Sequence, residues 1–294
     1  MGVAVRTEGL TKRYGSTVAL DHLDLEIAEG EVFGYLGPNG AGKSTTISLL
    51  LGLIRPTSGS AHVFGLDVAR DAPALHRRLA YVPSESALWP SLTGEEAMHL
   101  LGELHGAVDE GYRAELIERF HLDPAKRIRA YSHGNRQKVL LVAAFASRAD
   151  LLLLDEPTTG LDPLMEQVFR DCVRAAKDRG QTVLLSSHIL SEVEATCDRV
   201  GMLRAAKLFE VGTLEDLRQI AGQHVRAELR GAPPQLTAVP GVANVAVAGH
   251  VVECDVSGPI GPLLAALEAV GVEHLTTRTP SLEELFVARY GDGA

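Results

Sequence analysis

Apolar and polar side chains follow different patterns along the first part of the chain. Residues 4–10 and 18–27 alternate apolar with polar positions, as half-buried antiparallel strands do. Residues 32–36 are apolar throughout, which predicts a strand buried on both faces, and residues 47–51 continue as an apolar helix. Another strand is predicted at residues 79–82, and further buried strands at residues 151–155 and 182–186. Together these segments predict an α/β core preceded by an antiparallel β subdomain.

Helical patterns dominate the long interval before the strand that ends at residue 155. A capping-box sequence from Thr93 to Glu96 opens one helix, and residues 109–120 and 134–147 carry two more. Residues 86–148 are therefore predicted to form a mostly helical insert in the α/β core.

The pattern changes again in the last third of the chain. A helix is predicted at residues 213–221, and a small α+β module over residues 223–294. Strands of this module are predicted at residues 225–229, 242–247, 251–256 and 272–277, with a helix at 262–270. A final amphipathic helix is predicted from Pro280, with Ser281 as its cap and Glu284 at the capping-box position. This order of elements is typical of a ferredoxin-like module.

Composition and charge restrict the classes of function. The chain has 294 residues, 46% of them hydrophobic, which favours a large folded core over extended disorder. Its 38 acidic and 28 basic residues give a formal net charge of −10, which argues against a sequence-independent grip on DNA or RNA. We therefore expect no nucleic-acid partner.

Cysteine usage and hydropathy indicate a protein of a reducing compartment without a membrane span. Cys172, Cys197 and Cys254 are far apart and odd in number, so they predict buried thiols, not a disulfide framework or zinc site. Residues 1–10 lack a signal pattern, and the longest apolar runs, such as 139–146, are far shorter than a membrane span. The isolated chain is expected to be soluble, with any membrane role supplied by a partner.

A glycine-rich segment joins the buried strand at residues 32–36 to the apolar helix. Its residues are Gly37, Pro38, Asn39, Gly40, Ala41, Gly42, Lys43, Ser44 and Thr45. Glycines let successive backbone N–H groups point at one anion, and the helix N-terminus adds its own N–H groups and dipole. Lys43 suits the β- and γ-phosphates, and the Ser44 hydroxyl suits Mg²⁺. An accidental turn is the alternative, but this strand–loop–helix context predicts a binding loop for a nucleoside triphosphate.

Two carboxylates follow the strand predicted at residues 151–155. In an open α/β sheet, ligands bind at the carboxyl ends of the strands. Asp155 suits direct or indirect binding of Mg²⁺, and Glu156 suits a general base, or a group that positions water, for attack on the γ-phosphate. An exposed acidic turn is the alternative, and the phosphate-binding loop makes it the weaker hypothesis.

His188 and Tyr14 are single residues with two alternatives each. His188 follows a buried strand at the sheet edge that also carries Lys43 and Glu156, so it is either structural or a hydrogen-bond donor to the γ-phosphate or its water. Tyr14 lies in a turn predicted at residues 12–16, where it either packs in the hairpin or stacks on a nucleobase.

The ordered set of motifs over residues 3–215 resembles the ATP-binding subunit of an ABC transporter. Tyr14 is similar to the adenine-stacking aromatic, Gly37 to Ser44 to the Walker A loop, and Tyr131 to Gln137, with Ser132 and Gly134, to the signature. Leu151 to Asp155 with Glu156 are similar to Walker B and its catalytic glutamate, Gly160 to Asp162 to the D-loop, and His188 to the switch histidine. The resemblance implies a P-loop NTPase core over residues 1–215, with an antiparallel β subdomain and a helical subdomain.

The resemblance also implies cofactors, partners and location. In the family, the signature of one subunit closes over the γ-phosphate in the Walker A loop of the other. A head-to-tail homodimer or paralogous heterodimer around two ATP molecules is therefore expected, with Mg²⁺ and a separate transmembrane permease. Such a subunit works on the cytoplasmic face of the membrane. The stretch at residues 281–286 resembles the sequence that ends accessory domains in the ABC subunits of bacterial drug and antibiotic exporters.

Two positions depart from the family pattern. Ser84 stands where the family usually has a glutamine that touches Mg²⁺ and the membrane subunit, and its side chain is shorter. His133 occupies a signature position usually held by glycine or a basic residue. Because the loop lysine, both carboxylates and the switch histidine are kept, a working ATPase is expected.

Two other functions fit part of the pattern. A soluble ABC ATPase acting on ribosomes or DNA usually has two ATP-binding halves or a long coiled coil, whereas this chain has one half, no heptad run and an acidic charge. A nucleotide-gated subunit with weak hydrolysis is suggested by Ser84 alone. The favoured hypothesis is an ATP-hydrolysing subunit that drives a membrane-embedded exporter of drugs or antibiotics.

Overall fold

The computed structural model describes residues 2–105, 108–221 and 223–278. The chain divides into two compact units, Met1–Val211 and Gly212–Ala294. The helix predicted from Pro280 lies outside the described residues. In the part of the chain that is described, no helix is long and apolar enough to cross a membrane.

The described elements alternate between strands and helices. The strands are β1 (Val3–Tyr14), β2 (Thr17–Ala28), β3 (Val32–Leu36), β4 (Ser58–Val63), β5 (Leu66–Asp67), β6 (Leu79–Val82), β7 (Leu151–Asp155), β8 (Thr182–Ser187), β9 (Arg199–Arg204), β10 (Lys207–Thr213), β11 (Gln223–Leu229), β12 (Val242–Ala248), β13 (Val251–Val256) and β14 (Val272–Arg278). The helices are α1 (Lys43–Leu50), α2 (Ala72–His76), α3 (Gly94–His105), α4 (Glu110–Arg119), α5 (His133–Ala146), α6 (Pro163–Asp178), α7 (Leu190–Thr196), α8 (Leu214–Ala221) and α9 (Gly261–Glu268).

A mostly parallel sheet forms the centre of the first unit. Its strand order is β10-β9-β3-β8-β7-β6, and β3, β7 and β8 are buried along their whole length, as their apolar runs predict. The register places Leu36 beside Ser187 and Asp155 beside Ser186. Three chain segments with polar residues therefore leave the sheet at one edge.

The antiparallel subdomain is a second sheet in the order β2-β1-β4-β5. The turn predicted at residues 12–16 is wrong in extent, because β1 continues through Tyr14, which pairs with Thr17. Only Gly15 and Ser16 turn the chain. Cross-strand pairing extends the hairpin beyond the point where the local alternation of side chains ends.

The helical insert lies between β6 and β7, which are parallel neighbours in the central sheet. The capping box at the start of α3 is confirmed: Thr93 N donates to Glu96 Oε2 over 2.8 Å, and Glu96 N donates to Thr93 Oγ1 over 3.2 Å. Asp109 and Ser132 accept from backbone N–H groups as the caps of α4 and α5. Local sequence signals therefore set the starts of all three helices.

The second unit contains a four-stranded antiparallel sheet in the order β12-β13-β11-β14. A single 3-10 turn, Leu236–Ala238, stands between β11 and β12, where a ferredoxin-like module has its first helix. The apolar core of this second unit includes Val225, Cys254 and Leu267. The ferredoxin-like description of residues 223–294 stays a prediction.

The three cysteines are confirmed as buried free thiols. Burial raises the pKa of Cys172 to about 11 and also raises the pKa values of Cys197 and Cys254. These side chains therefore act as small apolar groups.

Candidate functional site

Glycine conformation shapes the loop between β3 and α1. Gly40 and Gly42 have φ angles of 81° and 112°, in the left-handed region that favours glycine. A Cβ atom on Gly42 would also lie only 2.7 Å from the Ala19 carbonyl oxygen. The α-helix begins directly at Lys43, so its free N–H groups face the loop.

Lys43 is held inside this loop. Its Nζ donates to the carbonyl oxygens of Gly37, over 2.7 Å, and Pro38, over 3.3 Å, and only 5% of the residue is exposed. Nζ also lies 3.5 Å from Glu156 Oε1. Burial lowers the pKa of Lys43, while the charges of Glu156 and Asp155 oppose that shift. An anion in the loop would give this cation a stronger partner than it has in the chain itself.

Glu156 links Lys43 to His188. Its Oε1 atom lies 3.2 Å from His188 Nδ1. The Glu156 backbone has φ 48°, an unfavourable value for a residue with a side chain, and its N–H donates to Ser186 O over 3.0 Å. This sharp turn directs the carboxylate from the end of β7 toward the loop lysine.

Asp155 is 1% exposed and accepts a hydrogen bond from the Ser186 hydroxyl on the neighbouring strand. The same two strand ends are thus joined by a side-chain bond and by the Glu156 N–H bond. The prediction that β7 delivers two carboxylates to the sheet edge agrees with this geometry.

A cavity of about 340 Å³ lies over the loop. It is lined by Ala19, Asn39, Gly40, Gly42, Lys43, Ser44, Thr45, Ser84 and Glu156. Hydroxyl and carboxylate oxygens of this set are the donor types that Mg²⁺ takes together with phosphate oxygens. Within the described ranges, no group of three or more His, Cys, Asp or Glu side chains could hold a metal ion.

Nine of the predicted site residues are not part of the cavity lining: Tyr14, Gly37, Pro38, Ala41, Ser132, Gly134, Asp155, Asp162 and His188. Tyr14 is 51% exposed, and the Lys12 ammonium lies 4.8 Å from its ring centroid. Asp162 caps α6 by accepting from two backbone N–H groups over 3.0 Å each. Ser132 caps α5, accepting from Asn135 N over 3.3 Å.

Gly134 is packed against the D-loop of its own chain. A Cβ atom on Gly134 would lie 2.2 Å from the Gly160 carbonyl oxygen. Gly134 and Gly160 therefore bring the signature and the D-loop into contact within one subunit.

Sequence inspection missed several residues around the site. Ala19 lines the cavity from β2, and no local pattern distinguishes it from other strand residues. Thr158, Ser187 and Glu192 form a buried hydrogen-bonded group beside Glu156 and His188. The pair of hydroxyl residues that ends β8 was the available signal for this group.

A phosphate-binding loop, a buried lysine and a carboxylate shared with a histidine define a P-loop ATPase. Comparison with known proteins gives the family. The family model described as ABC transporter matches residues 20–159. A daunorubicin resistance ATP-binding protein of Streptomyces coeruleorubidus is 38% identical over 98% of this chain and 96% of that protein. The chain therefore belongs to the ABC transporter family, as an ATP-binding subunit that hydrolyses ATP.

A second relative and a solved structure are also similar to this chain. A bacitracin transport ATP-binding protein of Bacillus licheniformis is 34% identical over 78% of this chain and 76% of that protein. The solved structure of the ATP binding subunit of an ABC transporter matches with a TM-score of 0.69 at 32% identity, over 74% of this chain and 92% of that one. The α/β prediction with a P-loop core and antiparallel and helical subdomains is thus confirmed.

Proposed function

We propose that this ATPase drives the export of a drug or antibiotic through a separate transmembrane permease, from the cytoplasmic face of the membrane. The observation that carries the catalytic part is the line of contacts from Lys43 through Glu156 to His188, in which Lys43 and Glu156 line the cavity. The similarity to a daunorubicin resistance protein and a bacitracin transport protein supports the transported class.

Three side chains divide the work on the γ-phosphate. Lys43 neutralises the β- and γ-phosphate oxygens, which its position inside the loop and in the cavity lining suits. Glu156 accepts a hydrogen bond from the attacking water and takes its proton. His188, 45% exposed in its side chain and touching Glu156, donates to the γ-phosphate or the water. Hydrolysis then converts ATP to ADP and phosphate, with the water oxygen bound to phosphorus.

Oxygen donors in and beside the cavity suit Mg²⁺ as the second cofactor. The Ser44 and Ser84 side chains line the cavity, and the Asp155 carboxylate at the end of β7 is the third proposed donor. Bound there, Mg²⁺ would supply positive charge to the phosphate oxygens. Ser84 presents a shorter donor than the amide usual in the family, so it acts through an intervening water.

A dimer completes the site. Ser132 and Gly134 sit at the N-terminus of α5, where a hydroxyl, backbone N–H groups and the helix dipole meet. They would close over the γ-phosphate of a second subunit, with Asp162 at the same interface and Tyr14 stacked on the adenine. The partner subunit is a second copy or a paralogue.

The permease contact is proposed at the surface downstream of Ser84. Trp89 is 47% exposed, and Leu88 and Leu92 are half-buried, so this segment presents apolar surface beside a cavity residue. A loop of the permease seated there would sense events at Ser84. Membrane attachment then depends on the partner.

Glu156→Gln tests the proposal. The variant should bind ATP, lose most of its turnover, about 100-fold or more, and accumulate as an ATP-dependent dimer in size-exclusion chromatography. Glu115→Gln on α4 is the matched control, since its carboxylate lies on an exposed helix face, 56% exposed, and should change neither property. Parent-like turnover in folded Glu156→Gln would remove Glu156 from the base role. If the variant binds ATP without hydrolysing it and still remains a monomer, the proposed dimer is wrong.

A further inference from the structure

Glu192 on α7 is a buried carboxylate with two hydroxyl donors. The residue is 7% exposed, and Ser187 Oγ donates to its Oε2 over 2.8 Å. Thr158 Oγ1 donates to its Oε1. A carboxylate at such a position is stabilised by both bonds, since burial without them would disfavour its charge.

Along the chain, each donor lies close to one member of the catalytic pair. Thr158 lies two residues after Glu156, and Ser187 directly precedes His188. Glu192 therefore joins the segment that carries the base to the segment that carries the switch histidine. The same neighbouring strands are also joined through the Ser186 hydroxyl and the Asp155 carboxylate.

The Ser187 hydroxyl also fixes the backbone around His188. Its oxygen accepts from the Ile189 N–H over 2.9 Å while its proton goes to Glu192. The backbone on both sides of His188 is thus held to one hydroxyl, and Glu192 fixes the orientation of that hydroxyl. A side chain that is 45% exposed, as in His188, depends on such backbone anchoring for a defined position.

We propose that Glu192 is a positioning residue for hydrolysis, which holds His188 in register with Glu156 without touching ATP. This inference rests on the proposed roles of His188 and Glu156. Loss of the carboxylate releases Ser187, and the 3.2 Å contact between Glu156 and His188 is no longer maintained. Misplacement of a catalytic group by about 1 Å costs on the order of 100-fold in rate.

The experiment is a double-mutant cycle measured as single-turnover ATP hydrolysis. Glu192→Ala should lower the rate about 100-fold and leave the affinity for ATP unchanged. In a His188→Ala background the same substitution should have almost no further effect, because its route to the reaction is already removed. Glu192→Gln should restore most of the rate, since an amide and reoriented hydroxyls reproduce both bonds.

Glu31→Ala is the control for general destabilisation. Glu31 is another buried carboxylate, 8% exposed, that accepts from Ala28 N over 2.8 Å at the far end of β3. It should lower the melting temperature and leave the hydrolysis rate unchanged. If Glu192→Ala does not fold, Ser187→Ala removes the same anchor and should give the same cycle.

Several outcomes overturn the proposal. Glu192→Ala with the parent rate, an equal loss in both backgrounds, no restoration by Glu192→Gln, or an equal loss in Glu31→Ala would each do so. A parent rate in His188→Ala would instead contradict the proposed function of His188. The two failures are therefore distinguishable.

Discussion

At the scale of single residues, the site stores an electrostatic cost at Lys43. Burial lowers the pKa of this side chain even though Glu156 and Asp155 favour its charge, so the folded chain binds this proton less tightly than the unfolded chain. The contribution of Lys43 to the free energy of unfolding therefore rises with pH between its lowered pKa in the folded chain and the ordinary value of 10.5. Below that window the cost is fully present. In the proposed complex, ATP would offset it by placing negative charge beside Nζ.

Lys43→Met should therefore separate stability from binding. Without nucleotide, we expect a melting temperature equal to or above that of the parent, because a buried charge is replaced by an apolar chain of similar length. ATP binding, measured by calorimetry, should be lost. Lys207→Met is the control: that side chain is 65% exposed, and we expect no change in either quantity. A clear fall in the melting temperature of Lys43→Met would show that the lysine stabilises the loop itself.

At the scale of elements, the start of α5 is fitted to the loop that precedes α6. The Gly160 carbonyl oxygen occupies the space beside Gly134, and Gly160 has φ 80°. The buried Gln137 side chain on α5 donates to the Pro157 carbonyl oxygen over 3.1 Å. Two contacts thus join the signature helix to the segment after Glu156, so a displacement of one is transmitted to the other.

Gly134→Ala tests this fit. Its Cβ would lie 2.2 Å from the Gly160 oxygen, so we expect a loss of about 1–3 kcal/mol in the free energy of unfolding. Gly111→Ala is the matched control, since Gly111 is also the second residue of its helix and its Cβ would meet only Asp109 Oδ1, at 3.6 Å. It should be neutral or stabilise by up to about 1 kcal/mol. Equal values in urea unfolding would mean that the D-loop moves aside freely.

At the scale of the whole molecule, the two units have separate apolar cores. The larger core joins the antiparallel sheet to the central sheet and includes Leu20, Ile47 and Leu153. The smaller core lies within the second unit and includes Leu263 and Leu267. The residues proposed to bind ATP and catalyse its hydrolysis all belong to the first unit.

Deletion of the residues after Gly222 should accordingly leave a folded ATP-binding protein. We expect cooperative thermal unfolding and parent-like affinity for ATP, with changes in dimerisation or in its regulation.

In the full chain, Leu267→Ala should destabilise the second unit by about 2–5 kcal/mol and leave ATP affinity unchanged. An insoluble truncated protein would show that the first unit needs the second. Unaltered dimerisation, turnover and export would contradict a regulatory role for residues 223–294.

Local signals in the amino-acid sequence were sufficient to predict several elements and part of the chemistry. Apolar runs identify β3, β7 and β8 because a strand buried on both faces needs them. The glycine-rich loop predicts a phosphate ligand because the glycines that shape its backbone and the lysine that supplies charge lie in one short segment of the chain. Likewise, the capping box at Thr93 needs only four residues.

Contacts between side chains that are distant in the sequence became visible only in the three-dimensional fold. Ala19 lines the cavity, and Glu192 accepts a hydrogen bond from Thr158 across a separation of 34 residues. The β1–β2 hairpin likewise extends through Tyr14 by cross-strand pairing. Such contacts depend on strand order, register and packing, which no single segment encodes, because each is made only when separate parts of the chain are brought together.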